Sequence, residues 1–246
     1  MTATLGIPGV IDSFSDAIQF ILEPQAGPRA AATEVGGLEQ VWELMGTQIW
    51  ISVLALAIAC AIAIPIGVYL GHRGTGEFLA VAIGNAGQAI PELALIAFMA
   101  AFIGVGEPTV TIALLILGIP PILTNTFVAV RQVDQGAIDA ARGMGMSELE
   151  VIRKVELPLA VPTLMSGVRL GASAIVATAT IAPLASVVTL GDFIINRGVY
   201  GDEGVLAGAI LVALLALAFE LVLAGIQRLL TPRGIVVQRQ AARVTA

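Results

Sequence analysis

The stretch DAARGMGMSELEVIRKVELP, residues 139–158, is charged and carries helix-capping signals, yet it stands between long apolar runs. Residues 138–144 are helix formers, and they end at Gly145, a residue suited to the left-handed conformation that closes a helix. Ser147 followed three residues later by Glu150 has the capping-box spacing for a second helix. That helix is expected to run through Val151, Ile152 and Val155 and to stop near Pro158, because Leu157 precedes a proline. Two short helices bent at a glycine are too small to hold a core of their own and too well specified to be a slack loop.

The flanking runs set the class. Of 246 residues 57% are hydrophobic and 12% charged, against roughly 25% charged in an ordinary soluble domain. A bilayer core of about 30 Å needs roughly 20 apolar residues per helix. Five windows meet that length: 47–70, 78–103, 109–130, 162–188 and 205–230. The expected fold is all-α, a polytopic membrane protein with about five transmembrane helices. Residues 1–46 form an N-terminal region, 47–230 the membrane domain with a polar loop at 131–161, and 231–246 a tail. In the N-terminal region Ile7, Val10, Ile11, Phe14, Ile18 and Ile21 recur at helical spacing between polar residues, which predicts a short amphipathic helix on the membrane surface. A Pro/Gly/Ala-rich linker over 23–37 follows it. The first residues lack a basic segment and a long apolar core, so they do not read as a cleaved signal peptide.

Lys and Arg are retained on the cytoplasmic side of a membrane, so their placement orients the chain. Arg73, Arg131, Arg142, Arg153, Lys154, Arg228, Arg233, Arg239 and Arg243 fall on one side, and only Arg29 and Arg197 on the other. Five spans then put the N-terminus outside, the C-terminus inside and the 131–161 loop in the cytoplasm. Trp42 and Trp50 flank the first span as interfacial anchors.

Several function classes are excluded on chemistry. A P-loop needs a lysine after its glycine, and the one lysine, Lys154, follows Arg153; ATP hydrolysis by that route is absent. One cysteine, Cys60, and one histidine, His72, leave no disulfide and no metal site, and His72 reads as an exposed loop residue. No nucleophile with base and orienter is visible, and no basic patch fits nucleic acid.

Polar residues inside apolar windows mark a candidate pathway. Asn85, Gln88 and Glu92 fall at i, i+3 and i+7, on one helical face, with Pro91 expected to kink the helix. An ionisable group facing lipid is costly, so Glu92 either lines a water-filled path and attracts a cationic substrate, or pairs with a partner such as Arg169, or packs protonated. In the third window Gly118, Pro120, Pro121, Thr124 and Asn125 read as a broken helix serving as hinge or gate. Ser166, Gly167, Gly171 and Ser173 read as a close helix contact. Arg169 either snorkels toward the cytoplasm or binds Glu92, and Glu220 has no evident partner.

The polar stretch resembles the EAA motif of binding-protein-dependent ABC importer permeases, whose pattern is Glu-Ala-Ala, three residues, Gly, nine residues, Ile-x-Leu-Pro. Here Asp139, Ala140, Ala141, Gly145, Val155, Leu157 and Pro158 occupy those places. Asp replaces Glu and Val replaces Ile, with every spacing kept. Five spans with this loop between the third and fourth are similar to the compact permeases of that family. GNAGQAIPELALIAF at 84–98, ILTNTFVAV at 122–130 and VVTLGDFIINRG at 187–198 resemble its osmoprotectant branch, which imports glycine betaine, choline or carnitine; Glu92 departs from the small polar residue usual there.

The resemblance implies a permease subunit that binds no cofactor itself. ATP and Mg would sit on separate ABC ATPase subunits, coupled through the loop. An extracytoplasmic solute-binding protein and a second permease copy, identical or similar, would complete the assembly in the cell membrane. An amino-acid-like solute, or a secondary transporter or channel using Glu92 and Glu220, is the alternative reading.

Overall fold

The computed structural model describes residues 9–28, 30–78, 82, 84, 87 and 89–232. Ile7, Arg29, Asn85, Gln88 and the tail from Arg233 onward lie outside them. The elements are α1 (Val10–Leu22), β1 (Pro24–Gly27), β2 (Ala30–Gly36), α2 (Gly37–Arg73), α3 (Glu92–Ile103), α4 (Glu107–Arg131), α5 (Gln135–Gly143), α6 (Glu148–Val151), a π-helical turn (Ile152–Glu156), α7 (Leu157–Ala179), α8 (Gly191–Ile195) and α9 (Arg197–Leu230). The chain divides into two compact units.

The first unit takes in Met1–Val53, Leu93–Thr111 and Val176–Leu217. The stretch expected to be a linker is here an antiparallel hairpin, with Pro24 opposite Gly36 and Gln25 opposite Val35. The all-α expectation therefore acquires one small two-stranded sheet. Helix α1 forms as its periodicity requires, and the Asp12 carboxylate accepts from the Gly9 N–H at its start. Its buried stripe, however, is Ala17 and Phe20, while Ile11, Phe14, Ile18 and Leu22 stay exposed. Phe20 meets Phe193 edge-on at 5.3 Å, and Phe193 meets Tyr200 at 4.9 Å, a geometry aromatic quadrupoles favour. The Tyr200 hydroxyl donates to Asp192 at 2.6 Å. Gln48, fully buried, donates to the Val176 carbonyl and the Thr180 hydroxyl. Trp42 and Trp50 are exposed, and the Trp50 indole N–H donates to Glu107.

The second unit takes in Leu54–Glu92, Ile112–Ile175 and Ala218–Ala246. Its core joins Ile122, Val130, Ile138, Val151, Leu164 and Val168. Gly167 and Gly171 hold α7 tightly against α4: a Cβ at Gly167 would stand 3.0 Å from the Pro121 carbonyl oxygen, and one at Gly171 3.0 Å from that of Gly118. Ser166 and Ser173, expected to share this contact, are exposed instead. The 3.6-residue repeat puts them on the far side of the helix from the glycine stripe.

Among the described residues four helical runs are long and apolar enough to cross a membrane: α2, α4, the run from Glu148 through α7, and α9. At 37 residues α2 is about 55 Å long, more than a bilayer core needs, so it extends beyond the apolar slab. Three expected spans are corrected. The 78–103 window is not one helix, because the chain bends at Ile90, leaves helix at Pro91 and restarts as the 12-residue α3. The 162–188 window closes early: α7 ends at Ala179, a 3₁₀ turn (Ala182–Ala185) follows, and Ser186 takes a left-handed φ of 62°. In the third window α4 runs unbroken through Pro120 and Pro121, so the expected break is absent. Gly118 packs tightly against Ile175, and the Asn125 amide donates to the Pro121 carbonyl at 2.8 Å.

Gly171→Val should lower the thermal midpoint of the detergent-solubilised chain by the equivalent of about 1–3 kcal/mol of overpacking. Gly225→Val, where a Cβ meets nothing within 4 Å, should leave it nearly unchanged, and equal shifts for the two would contradict this packing.

Candidate functional site

The polar stretch is folded along the lines its caps dictate. The Asp134 carboxylate accepts from the Gly136 N–H and starts α5 three residues earlier than the run of helix formers. At the other end the Gly145 N–H donates to the Arg142 carbonyl and the Met146 N–H to that of Ala141. With Gly145 at φ 83° this is the Schellman closure, and it turns the chain into α6. The Glu150 carboxylate accepts from the Ser147 backbone N–H and hydroxyl, each at 3.0 Å, and pairs with Lys154.

The helix does not stop near Pro158. Leu157 N–H donates to the Ile152 carbonyl, five residues back, and α6 flows through a π turn into α7. The wider turn absorbs the residue without a donor, so Pro158 sits in the first turn of α7 at little cost. The polar helix pair and the apolar span are thus one continuous rod from Glu148 to Ala179.

The motif residues divide between two faces. Asp139, Ala140 and Gly145 are exposed, whereas Ala141 and Ile138 are buried; Val155, Leu157 and Pro158 are half-buried. Ala141 therefore packs into the core of the unit, and Ala140 faces outward. Arg142 donates to both oxygens of Glu148 at 3.0–3.2 Å and lies 3.9 Å from Asp139. The bond to Glu148 holds the guanidinium above its ordinary pKa. These charges fix the angle between α5 and α6 themselves. Two outward side chains were not singled out in the sequence: Met144, 72% exposed, and Leu149, 57% exposed. They give the tip of the helix pair an apolar contact surface, and apolar residues interrupting a polar segment were the available signal.

Residue His72 is the largest departure from expectation. It ends α2 with its side chain 9% exposed, Nδ1 bonded to the Glu156 carboxylate at 2.8–2.9 Å and Nε2 3.1 Å from Glu148. Glu156, 2% exposed in the π turn, carries no local signal in the sequence. Its neighbour in space is 84 residues away in sequence, beyond the reach of any local pattern.

Of the pathway candidates, Asn85 and Gln88 lie outside the described residues. Glycines 84 and 87 beside them are buried, and a Cβ on either would collide with α4, at Thr124 and Pro120 respectively. Pro91 and Glu92 are exposed, and Glu92 starts α3. Thr124 and Asn125 are half-buried on α4. Arg169 pairs not with Glu92 but with Glu220, and donates also to Gln227 at 2.9 Å; Gln227 in turn donates to the Pro162 carbonyl. Glu220 has gained its partner because α7 and α9 pass side by side there. Among the described residues no group of three metal-ligating side chains is present.

Long apolar helices interrupted by one rigid, outward-facing polar helix pair define a multi-pass membrane transport permease. The family model of the binding-protein-dependent transport system inner membrane component matches residues 63–235, and the chain belongs to that family. It is 38% identical over 199 residues to the carnitine transport permease protein OpuCB of Listeria monocytogenes, covering 80% of this chain and 89% of that one. It is 34% identical over 191 residues to the glycine betaine/carnitine/choline transport system permease protein OpuCB of Bacillus subtilis, covering 77% and 88%. The fold is similar to that of an inward-facing MetNI methionine ABC transporter chain, with TM-score 0.67 and 21% identity over 79% of this chain and 98% of that chain.

Replacing Glu220 by Leu strands the Arg169 guanidinium within a span, whereas Arg169→Leu with Glu220→Leu removes both charges. The double variant should retain more folded protein in detergent, by size-exclusion recovery, than either single variant; the opposite order would show that the pair is not a mutual requirement.

Proposed function

We propose that this chain, a permease subunit of an ATP-driven ABC importer, receives its driving motion at the tip of α5 and α6 and imports a quaternary ammonium osmoprotectant. The observation that carries the reading is the exposed helix pair bearing Asp139, Ala140 and Gly145, closed by the Schellman turn and fused to α7 without a break through half-buried Val155, Leu157 and Pro158. A lever needs stiffness between its handle and its load, and a continuous helical rod with satisfied ends supplies it. Ala140, Met144 and Leu149 form the contact surface for a groove on a separate ATPase subunit, which holds ATP and Mg.

In this reading the 78–103 segment crosses as a broken span, so that the 131–161 loop and the C-terminus are cytoplasmic and the N-terminal helix and hairpin are outside, as the distribution of Arg and Lys favours. An extracytoplasmic solute-binding protein delivers substrate, and a second permease copy, identical or similar, completes the path. ATP binding closes the ATPases and shifts the spans between inward-open and outward-open states. The substrate class is taken from the relatives, whose names give carnitine, choline and glycine betaine, all trimethylammonium compounds. Exposed Glu92 suits attraction of the cationic trimethylammonium group, with Asn85, Gln88, Pro91, Thr124 and Asn125 as the remaining pathway residues.

In vesicles carrying the chain with its ATPase and binding protein, Asp139→Arg or Gly145→Val should leave basal ATP hydrolysis in place and lower uptake per ATP about tenfold, a coupling change of ordinary size. Gly145→Val acts by forcing a branched residue into a left-handed turn. Unchanged coupling in both variants would overturn the assignment, and uptake following an ion gradient without ATP would favour a secondary transporter.

A further inference from the structure

The link from His72 to Glu156 and Glu148 lies outside the motif and is used by nothing described so far. Five elements meet around it within one unit: the end of α2, the end of α4, α5, α6 and the π turn. Glu156 is a buried carboxylate whose side-chain partner is the His72 ring. A carboxylate oxygen accepts hydrogen bonds but cannot donate them, so each ring nitrogen that bonds to one must carry a proton. Nδ1 faces Glu156 and Nε2 faces Glu148 on opposite edges of the ring, and a neutral imidazole has only one N–H. With both carboxyls ionised, the complete three-residue link therefore belongs to the imidazolium form.

The charged surroundings are consistent with a cation held between two anions. Arg142 faces the same small polar cavity and is occupied by Glu148; Arg131 at the end of α4 also lines it, beside uncharged Gln135. Arg73, next to His72 on α2, turns away and lies over the Tyr69 ring at 5.5 Å. The position of the link matters because covalent continuity carries motion of the helix pair into α7 and, through residues 132–134, into α4, but not into α2. His72 supplies the second attachment, from the same moving segment to α2.

We propose that His72 is a positioning residue of the transport cycle: as imidazolium it ties the end of α2 to Glu156 and Glu148, so that displacement of the helix pair moves α2 together with α7. Loss of either carboxylate contact would leave α2 joined to the moving segment by one arm only.

The inference rests on the importer reading, and the test separates the two. The wild-type chain and the variants His72→Ala, Glu156→Gln and His72→Lys are reconstituted with ATPase and binding protein, and uptake per ATP is measured. His72→Ala and Glu156→Gln should assemble and hydrolyse ATP with uptake per ATP reduced about fivefold or more, the lower end of ordinary coupling between sites. His72→Lys, which restores a donor cation at the same place, should keep coupling. Wild-type coupling in His72→Ala, or a His72→Lys variant as uncoupled as His72→Ala, would overturn the proposal. Should His72→Ala not assemble, Glu156→Gln against His72→Lys still decides. Absence of ATP-dependent uptake in the wild-type complex would instead count against the importer reading.

Discussion

Everything in the second unit hangs on a five-residue π turn, Ile152–Glu156, that converts a polar surface helix into a membrane span without breaking the backbone. A proline two residues past that turn would ordinarily end the helix before it. By widening to a five-residue hydrogen bond at Leu157 the chain lets Pro158 enter the first turn of α7, where its missing N–H costs little. The same turn places Glu156 inward, and an inward carboxylate must have a donor. His72 is that donor, so the end of α2 is drawn into the arrangement.

The same requirement, that no polar group be left alone in an apolar setting, explains the placement of the other charges. Arg169 bonds to Glu220 and Gln227 across α7 and α9, and Gln227 continues to the Pro162 carbonyl. Asn125 braces α4 beside its two prolines. Where prolines and glycines read as a break in α4, packing and side-chain bonds keep it continuous. Flexibility in α4 is restrained by the contact of Gly167 and Gly171 on α7 with Pro121 and Gly118.

Much of the helix pair was legible because its signals are local. Asp139-Ala140-Ala141, Gly145, and Ser147 with Glu150 act over three to five residues, and the structure closes α5 and opens α6 at the places they indicate. The apolar windows were legible for the same reason, since spanning is a matter of length and composition. Their ends were less so. The break at Ile90 and Pro91 and the early stop of α7 at Ala179 depend on backbone conformations, such as left-handed Ser186, to which hydropathy is blind. The hairpin over 24–36 was missed because a strand pair of this length has no apolar run to announce it.

By itself, then, the chain's order of residues determined a membrane-spanning helical protein, a capped polar helix pair between two spans, and the absence of an ATP-hydrolysing loop. These follow from composition, periodicity and caps, each set within a few turns of backbone. Only the tertiary structure decided which polar groups meet: His72 with Glu156 and Glu148, Arg169 with Glu220, Phe20 with Phe193. The physical reason is that a pairing across tens of residues is chosen by the packing of helices, and a side chain's partner cannot be read from its neighbours in sequence.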